Sequence, residues 1–117
     1  MTPVADAAVA LVALLHAGFL VLEMFLWDKP LGLRVFGHSP EAARASKVLA
    51  ANQGLYNGFL AAGLAWGLAL GPAGTAIKAF FLGCAIVAGI FGGVTASRAI
   101  LFVQALPAAV ALALLLA

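Results

Sequence analysis

The chain has 117 residues, of which 66% are hydrophobic and 9% are charged, and its mean hydropathy is +1.18. This small number of polar side chains cannot cover the surface of a soluble globular domain. The composition therefore predicts an integral membrane protein. The formal net charge of +2 comes from connections between apolar runs, and no basic groove with interleaved aromatic residues supports nucleic-acid binding.

Four apolar runs follow one another along the chain, and the length leaves room for little else. The first covers about 4–27 and the second about 48–70, where Gly71-Pro72-Ala73-Gly74 predicts a turn that ends the helix. The third covers about 76–96 and the fourth about 100–117, with a connection so short that they must form an antiparallel hairpin. We therefore expect an all-α membrane protein, a four-transmembrane-helix antiparallel bundle that forms a single domain over residues 1–117.

The one substantial polar connection is residues 28–47. Within it, Ser39 is placed to cap a helix, Pro40 suits the first helical position, and Glu41 is favoured by the helix dipole. The second helix is thus expected to begin outside the hydrocarbon. The first run has Asp6 in place of the basic leader of a cleaved signal peptide, so we expect it to be retained as a span.

Lysine and arginine residues are distributed unequally between the two sides of the predicted bundle. One basic residue, Lys78, lies near the connection between the second and third runs. Because basic residues mark the cytoplasmic side, both termini are expected to be non-cytoplasmic, in a multi-pass protein of the cell inner (plasma) membrane. The residues predicted to be cytoplasmic are Lys29, Arg34, Arg44, Lys47 and Arg98.

Polar side chains inside the apolar runs are the main clue to function. Amides and a phenol are costly in hydrocarbon unless they find partners, so they should face a protein interior or a wet cavity. Helical rise places them at similar heights in the cytoplasmic half, which predicts a polar pocket. The residues expected to line it are Asn52, Gln53, Tyr56 and Asn57 of the second run and Gln104 of the fourth.

Two ionisable residues of the first run complete this predicted pocket. His16 and Glu23 stand seven residues apart, almost two helical turns, and so share one face. Together they are candidates for acid and base, because both can exchange a proton with a ligand. The alternatives are an interfacial Glu23 and a His16 that is satisfied by a backbone carbonyl. The amides have a simpler alternative role, as interhelical hydrogen bonds of roughly 1 kcal/mol each.

Metal and nucleotide chemistry lack the residues they need. Two histidines and one cysteine are too few for a metal centre, no glycine-rich phosphate loop is present, and no nucleophilic triad stands out. We expect no cofactor, and Cys84 is interpreted as packing filler. Small-xxx-small glycine pairs, such as Gly54 with Gly58 and Gly89 with Gly93, predict close helix contacts, either within the chain or between subunits.

Three segments carry a resemblance to a known family: Leu22-Glu23-Met24-Phe25-Leu26-Trp27, the stretch Ala50–Gly63 around Asn52-Gln53-Gly54-Leu55-Tyr56-Asn57-Gly58, and Val103-Gln104-Ala105-Leu106-Pro107. The chain resembles the small bacterial membrane family catalogued as domain of unknown function 1304. That resemblance extends over nearly the whole chain and implies a four-span fold, but no reaction.

Three functions remain open on the sequence. The first is a pocket that binds, and could convert, a small apolar or lipid-like molecule entering from the membrane. Another is an oligomeric transporter with a path for protons or a small solute, for which one bundle offers no complete polar route. The third is a structural or partner-binding membrane protein whose polar layer fixes helix register. Whether the protein is an enzyme is left open, and the expected partners are membrane lipid and a homo-oligomer.

Overall fold

A computed structural model describes residues 2–117, and nearly all of them are helical. A single 3-10 turn, Gly71–Gly74, precedes α4, and a π-helical turn, Leu101–Ala105, precedes α5. The prediction of an all-α protein is confirmed. The helices are α1 (Pro3–Met24), α2 (Pro30–Phe36), α3 (Pro40–Ala69), α4 (Thr75–Thr95) and α5 (Leu106–Leu116).

Both ends of α3 are set by the residues that the sequence singled out. The helix begins at Pro40, and the amide of Ala42 donates a hydrogen bond to the Ser39 hydroxyl at 3.1 Å, which is the expected cap. After Ala69 the chain leaves the helix at Gly71, whose φ of +60° suits a residue without a side chain. The predicted start and the predicted turn are both confirmed.

Helix α2 is a feature that the sequence analysis did not anticipate. It begins with Pro30 and ends at Gly37, which has a φ of +65° and whose amide bonds the carbonyl of Leu33. Gly32 lies so close to the Leu26 carbonyl that any side chain there would collide with it. Seven residues are too few to establish a helical period, so residues 28–47 looked like an unbroken polar connection.

The chain forms two compact units, one made of residues 16–59 and the other of residues 2–15 and 60–117. In the second of these, all four long helical segments contribute to one buried apolar cluster, which comprises Val9, Val12, Leu64, Leu82, Ala85, Ala108, Ala111 and Leu115. Small residues are frequent in the cluster, and this allows the helix backbones to approach closely.

Glycines mark where the helices touch. Gly89 lies against Ala105, with the Ala105 nitrogen 2.6 Å from where a side chain on Gly89 would begin, and Gly93 lies against Leu101. Since residue numbers rise on α4 as they fall on its neighbour, the two segments run antiparallel, as the short connection predicts. Between the two uses left open for the Gly89 and Gly93 pair, the structure shows packing within the chain.

In the unit of residues 16–59, glycines also allow α1 and α3 to pack closely against each other. A side chain on Gly54 would lie 2.7 Å from Met24 Cγ and 3.1 Å from Glu23 Cβ, and one on Gly58 would meet Leu20. This contact is again antiparallel. It places the end of α1 directly beside the polar part of α3.

Two helices of the described residues are long and apolar enough to cross a membrane, Pro3–Met24 and Gly71–Thr95. Only 22% of each apolar window is buried inside the protein, whereas the apolar core helix of a soluble protein would be mostly buried. The helical stretch Leu101–Leu116 is apolar but shorter. The outer surfaces of these helices therefore suit lipid better than water.

Candidate functional site

The centre of the candidate site is a hydrogen bond between Glu23 and Asn57. Asn57 Nδ2 donates to Glu23 Oε1 at 2.5 Å, linking the last turn of α1 to the middle of α3. Asn57 is buried and Glu23 is half-buried. Because Gly54 lies one turn before Asn57 and directly against Glu23, the missing side chain at Gly54 lets the carboxyl reach the amide.

The Glu23 carboxyl keeps most of its hydrogen-bonding capacity. Across residues 2–117, Asn57 is the only side chain that it bonds, and none of the ion pairs of this part of the chain includes it. A carboxyl group has about four acceptor positions when ionised and can also donate when protonated. One amide therefore orients the group without occupying all of its acceptor positions.

His16, the second acid-base candidate, is fully buried in α1. Its ring packs edge-on against Phe19, with the ring centres 5.2 Å apart. A molecule from outside would have to displace neighbouring side chains to reach the imidazole. Its proposed acid-base role stays a prediction, and the burial favours the alternative of a histidine that is satisfied inside the protein.

The remaining predicted pocket residues of α3 are exposed, unlike Asn57. Asn52, Gln53 and Tyr56 are exposed on the outside of α3, and 51% of Tyr56 is accessible. Five residues along a helix correspond to about 140°, so Asn52 points away from the side that carries Asn57. Gln104 is half-buried and belongs to the other compact unit.

A second polar contact, between Asp6 and Lys78, was missed by the sequence analysis, which used Lys78 for topology alone. Lys78 is fully buried in α4, and its Nζ lies 3.4 Å from Asp6 Oδ1 and 3.5 Å from the Gly71 carbonyl. An acidic residue near the start of one apolar helix and a basic residue near the start of another were the available signal. Both lie one turn inside their helices.

Where α1 ends, an aromatic and charged cluster holds the connection to α3. The Trp27 indole donates to the Ser46 hydroxyl at 3.0 Å, and the His38 ring lies against Trp27. Lys47 Nζ lies 3.0 Å from Asp28 Oδ2, and the hydrogen bond from Lys47 holds the pKa of Asp28 below its ordinary value. Tryptophan and lysine are typical of a membrane–water boundary.

Metal ligation finds no support among residues 2–117, where no group of three or more His, Cys, Asp or Glu side chains could hold an ion. Cys84 lies part-exposed on α4.

Comparison with known proteins identifies a family. A family model described as "Protein of unknown function (DUF1304)" matches residues 10–116. No curated protein and no solved structure matches the chain. The matched range includes both partners of the Glu23–Asn57 hydrogen bond.

Proposed function

The chain belongs to the family described as protein of unknown function (DUF1304), and from that premise we propose that it is a multi-pass inner-membrane protein that binds a lipid-like molecule at Glu23 and Asn57. In this proposal the four predicted spans form one membrane domain, with both termini on the non-cytoplasmic side. The pocket then lies in the cytoplasmic half of the bilayer.

Exposed apolar surface supports the placement in a membrane. Phe80, Val87 and Phe91 of α4 are all more than half exposed, as are Val4 and Leu14 of α1. Continuous apolar surface of this kind is unstable in water and is suited to hydrocarbon. Helix α3, with 30 residues, is about 45 Å long and so has ample length to cross a hydrocarbon core of about 30 Å.

The observation that carries the binding proposal is the incomplete pairing of Glu23. A carboxyl group that shares an apolar helix contact with one neutral amide is expensive, and such residues in membrane segments are commonly functional. A molecule with an apolar body could lie along α3 in the lipid and bring a hydroxyl, amine or amide to the carboxyl. Gln53 lies one turn before Asn57, within about 40° around α3, and could bond the same polar end.

The second candidate function is purely structural, and the same hydrogen bond between Glu23 and Asn57 favours it. An amide–carboxyl bond between two helices contributes about 1 kcal/mol and fixes their register without any ligand. The two candidates differ in what Glu23 does beyond Asn57. Only the binding proposal requires a molecule at the acceptor positions of Glu23 that Asn57 does not occupy.

The first experiment is to purify the protein in mild detergent and identify retained molecules by native mass spectrometry. Glu23→Ala and Asn57→Ala should lose most of the retained molecule, because each removes one side of the polar contact. Glu41→Gln, which changes an exposed carboxylate in the first turn of α3, is the matched control and should retain it. Equal retention by Glu23→Ala and the wild-type protein would overturn the binding proposal and leave the structural reading.

A second experiment addresses proton exchange once that molecule is known. Glu23→Gln keeps the shape and the hydrogen bond but cannot titrate. If Glu23 exchanges a proton with the bound molecule, binding to the variant should become independent of pH while the folded state stays intact. A pH profile that matches the wild-type profile would show that Glu23 acts only as a hydrogen-bond partner.

A further inference from the structure

The outer side of α3 carries an ordered stripe that the proposed pocket does not use. Val48, Asn52, Leu55 and Phe59 are all exposed, and their spacing of four, three and four residues repeats every seven. They fall within about 60° around the helix. Four residues at this spacing match the seven-residue repeat of a seam between two packed helices, and Leu49 and Tyr56 beside them are also exposed.

The stripe contains one polar residue, Asn52, among large apolar ones. Lipid chains could cover Val48, Leu55 and Phe59 without cost, but they offer no hydrogen bond to a carboxamide. Tyr56, half-exposed and one turn after Asn52, adds a hydroxyl at the edge of the same surface. If α3 crosses the bilayer, as the proposed function requires, this face is covered by a group that can form hydrogen bonds.

We propose that a second copy of this chain covers the stripe, with the Asn52 side chains of the two copies bonded to each other across a two-fold axis. Copies inserted in the same direction place identical residues at the same depth, so Asn52 meets Asn52. A carboxamide carries both donors and an acceptor, which makes it its own complement. A single polar residue in an apolar seam also sets the register of the two helices.

The dimer seam and the pocket occupy different sides of α3. Asn57 turns towards Glu23 on α1, whereas Asn52 lies about 140° away. The dimer therefore leaves the Glu23 carboxyl as it is. It also explains why the structure of one chain leaves Asn52 exposed while Asn57 is buried.

The test is cysteine cross-linking in native membranes, in a Cys84→Ala background that removes the natural thiol. Val48→Cys and, independently, Leu55→Cys should form a disulfide-linked dimer on mild oxidation. Val87→Cys on α4 is the matched control, because Val48 and Val87 are exposed to 82% and 68%, and it should stay monomeric. Failure of both stripe variants to cross-link, or equal cross-linking of Val87→Cys, would overturn the dimer.

A second arm tests the amide itself. Asn52→Leu in the Val48→Cys background should weaken dimerisation about tenfold, because it removes roughly one interhelical amide hydrogen bond within the membrane. Gln53→Leu in the same background should leave dimerisation unchanged. Unchanged dimerisation of the Asn52 variant would contradict the amide pair. Alkaline carbonate extraction separates the two proposals: a chain released from the membrane overturns its insertion, and an inserted chain without cross-links overturns only the dimer.

Discussion

Two carboxyl groups at opposite ends of α1 have different kinds of partner. Asp6 lies beside the ammonium group of Lys78, a fully buried side chain with which it forms an ion pair. Glu23 lies beside Asn57, a neutral amide. The first contact balances charge with charge, so its chemistry is complete within the chain.

The contrast underlies our proposal of different roles for the two contacts. An ion pair has no spare charge to offer a ligand and serves to hold helices together, whereas an amide orients a carboxyl without neutralising it. We therefore interpret Asp6 and Lys78 as a structural contact and Glu23 with Asn57 as a binding contact.

The largest effect is expected from Asp6→Asn. This change leaves the buried ammonium of Lys78 without its carboxylate and should cost about 2 to 3 kcal/mol, less than for a fully buried pair because 43% of the Asp6 side chain is exposed. Lys78→Met should cost less than about 1 kcal/mol, because the remaining carboxylate can reach water. Unfolding in detergent with increasing sodium dodecyl sulfate measures both, and equal costs would argue against the asymmetry.

The second-largest loss of stability is expected where α1 and α3 pack closely beside Glu23. Gly54→Ala places a methyl group 2.7 Å from Met24 Cγ and 3.2 Å from the Leu20 carbonyl, so α1 and α3 must separate, at a cost of about 1 to 2 kcal/mol. Gly18→Ala is the matched control, since nothing lies within 4 Å of its new methyl group. It should be neutral or stabilise the helix by up to about 1 kcal/mol. If the control loses as much stability, close packing at Gly54 does not determine the result.

Removing the amide should have a smaller effect. Asn57→Leu deletes the hydrogen bond to Glu23 and should lower stability by about 1 kcal/mol. Glu23→Gln keeps a hydrogen-bonding partner for Asn57 and should change stability by less than about 0.5 kcal/mol. The same unfolding assay applies. A large loss for Glu23→Gln would mean that the charge itself holds the helices together, as it does for Asp6.

The smallest effect concerns Asp28, a carboxyl at the predicted boundary. Its pKa lies below the ordinary value of 3.8 because Lys47 donates a hydrogen bond to it. The contact therefore stabilises the fold fully above pH 3.8 and is lost as the pH falls through the lower folded-state pKa. Fluorescence of Trp27, isolated by Trp66→Phe, should change over that acidic range. An Asp28→Asn variant with the same transition would assign the change to another group.

Much of the fold followed from local sequence signals. The start of α3 at Pro40 and its end before Gly71 depend on residues that act on the backbone nearby, so they are visible in sequence. The pairing of α4 with the segment after it followed from a connection too short for any other arrangement. Helix α2 was missed, because seven residues set no period and its position depends on contact between Gly32 and Leu26.

The site was predicted less well, for a geometric reason. Matching heights along the helices indicated that the polar residues could meet, but rotation around each helix decides whether they do. That rotation places Asn57 against Glu23 and leaves Asn52 outside. It is set by which glycines pack where, Gly54 above all, and sequence spacing alone does not specify this. The pairing of Asp6 with Lys78 also depends on how helices pack.

Labelling with dicyclohexylcarbodiimide, an apolar carboxyl reagent that dissolves in bilayers, tests the central claim most directly. Mass spectrometry of protein treated in its native membrane would report which carboxyl groups carry an adduct. Our account predicts an adduct on Glu23, lost in Glu23→Gln and retained in Asn57→Leu, and little on Asp6, whose carboxyl is paired with the Lys78 side chain. No adduct on Glu23, or equal labelling of Asp6, would contradict it.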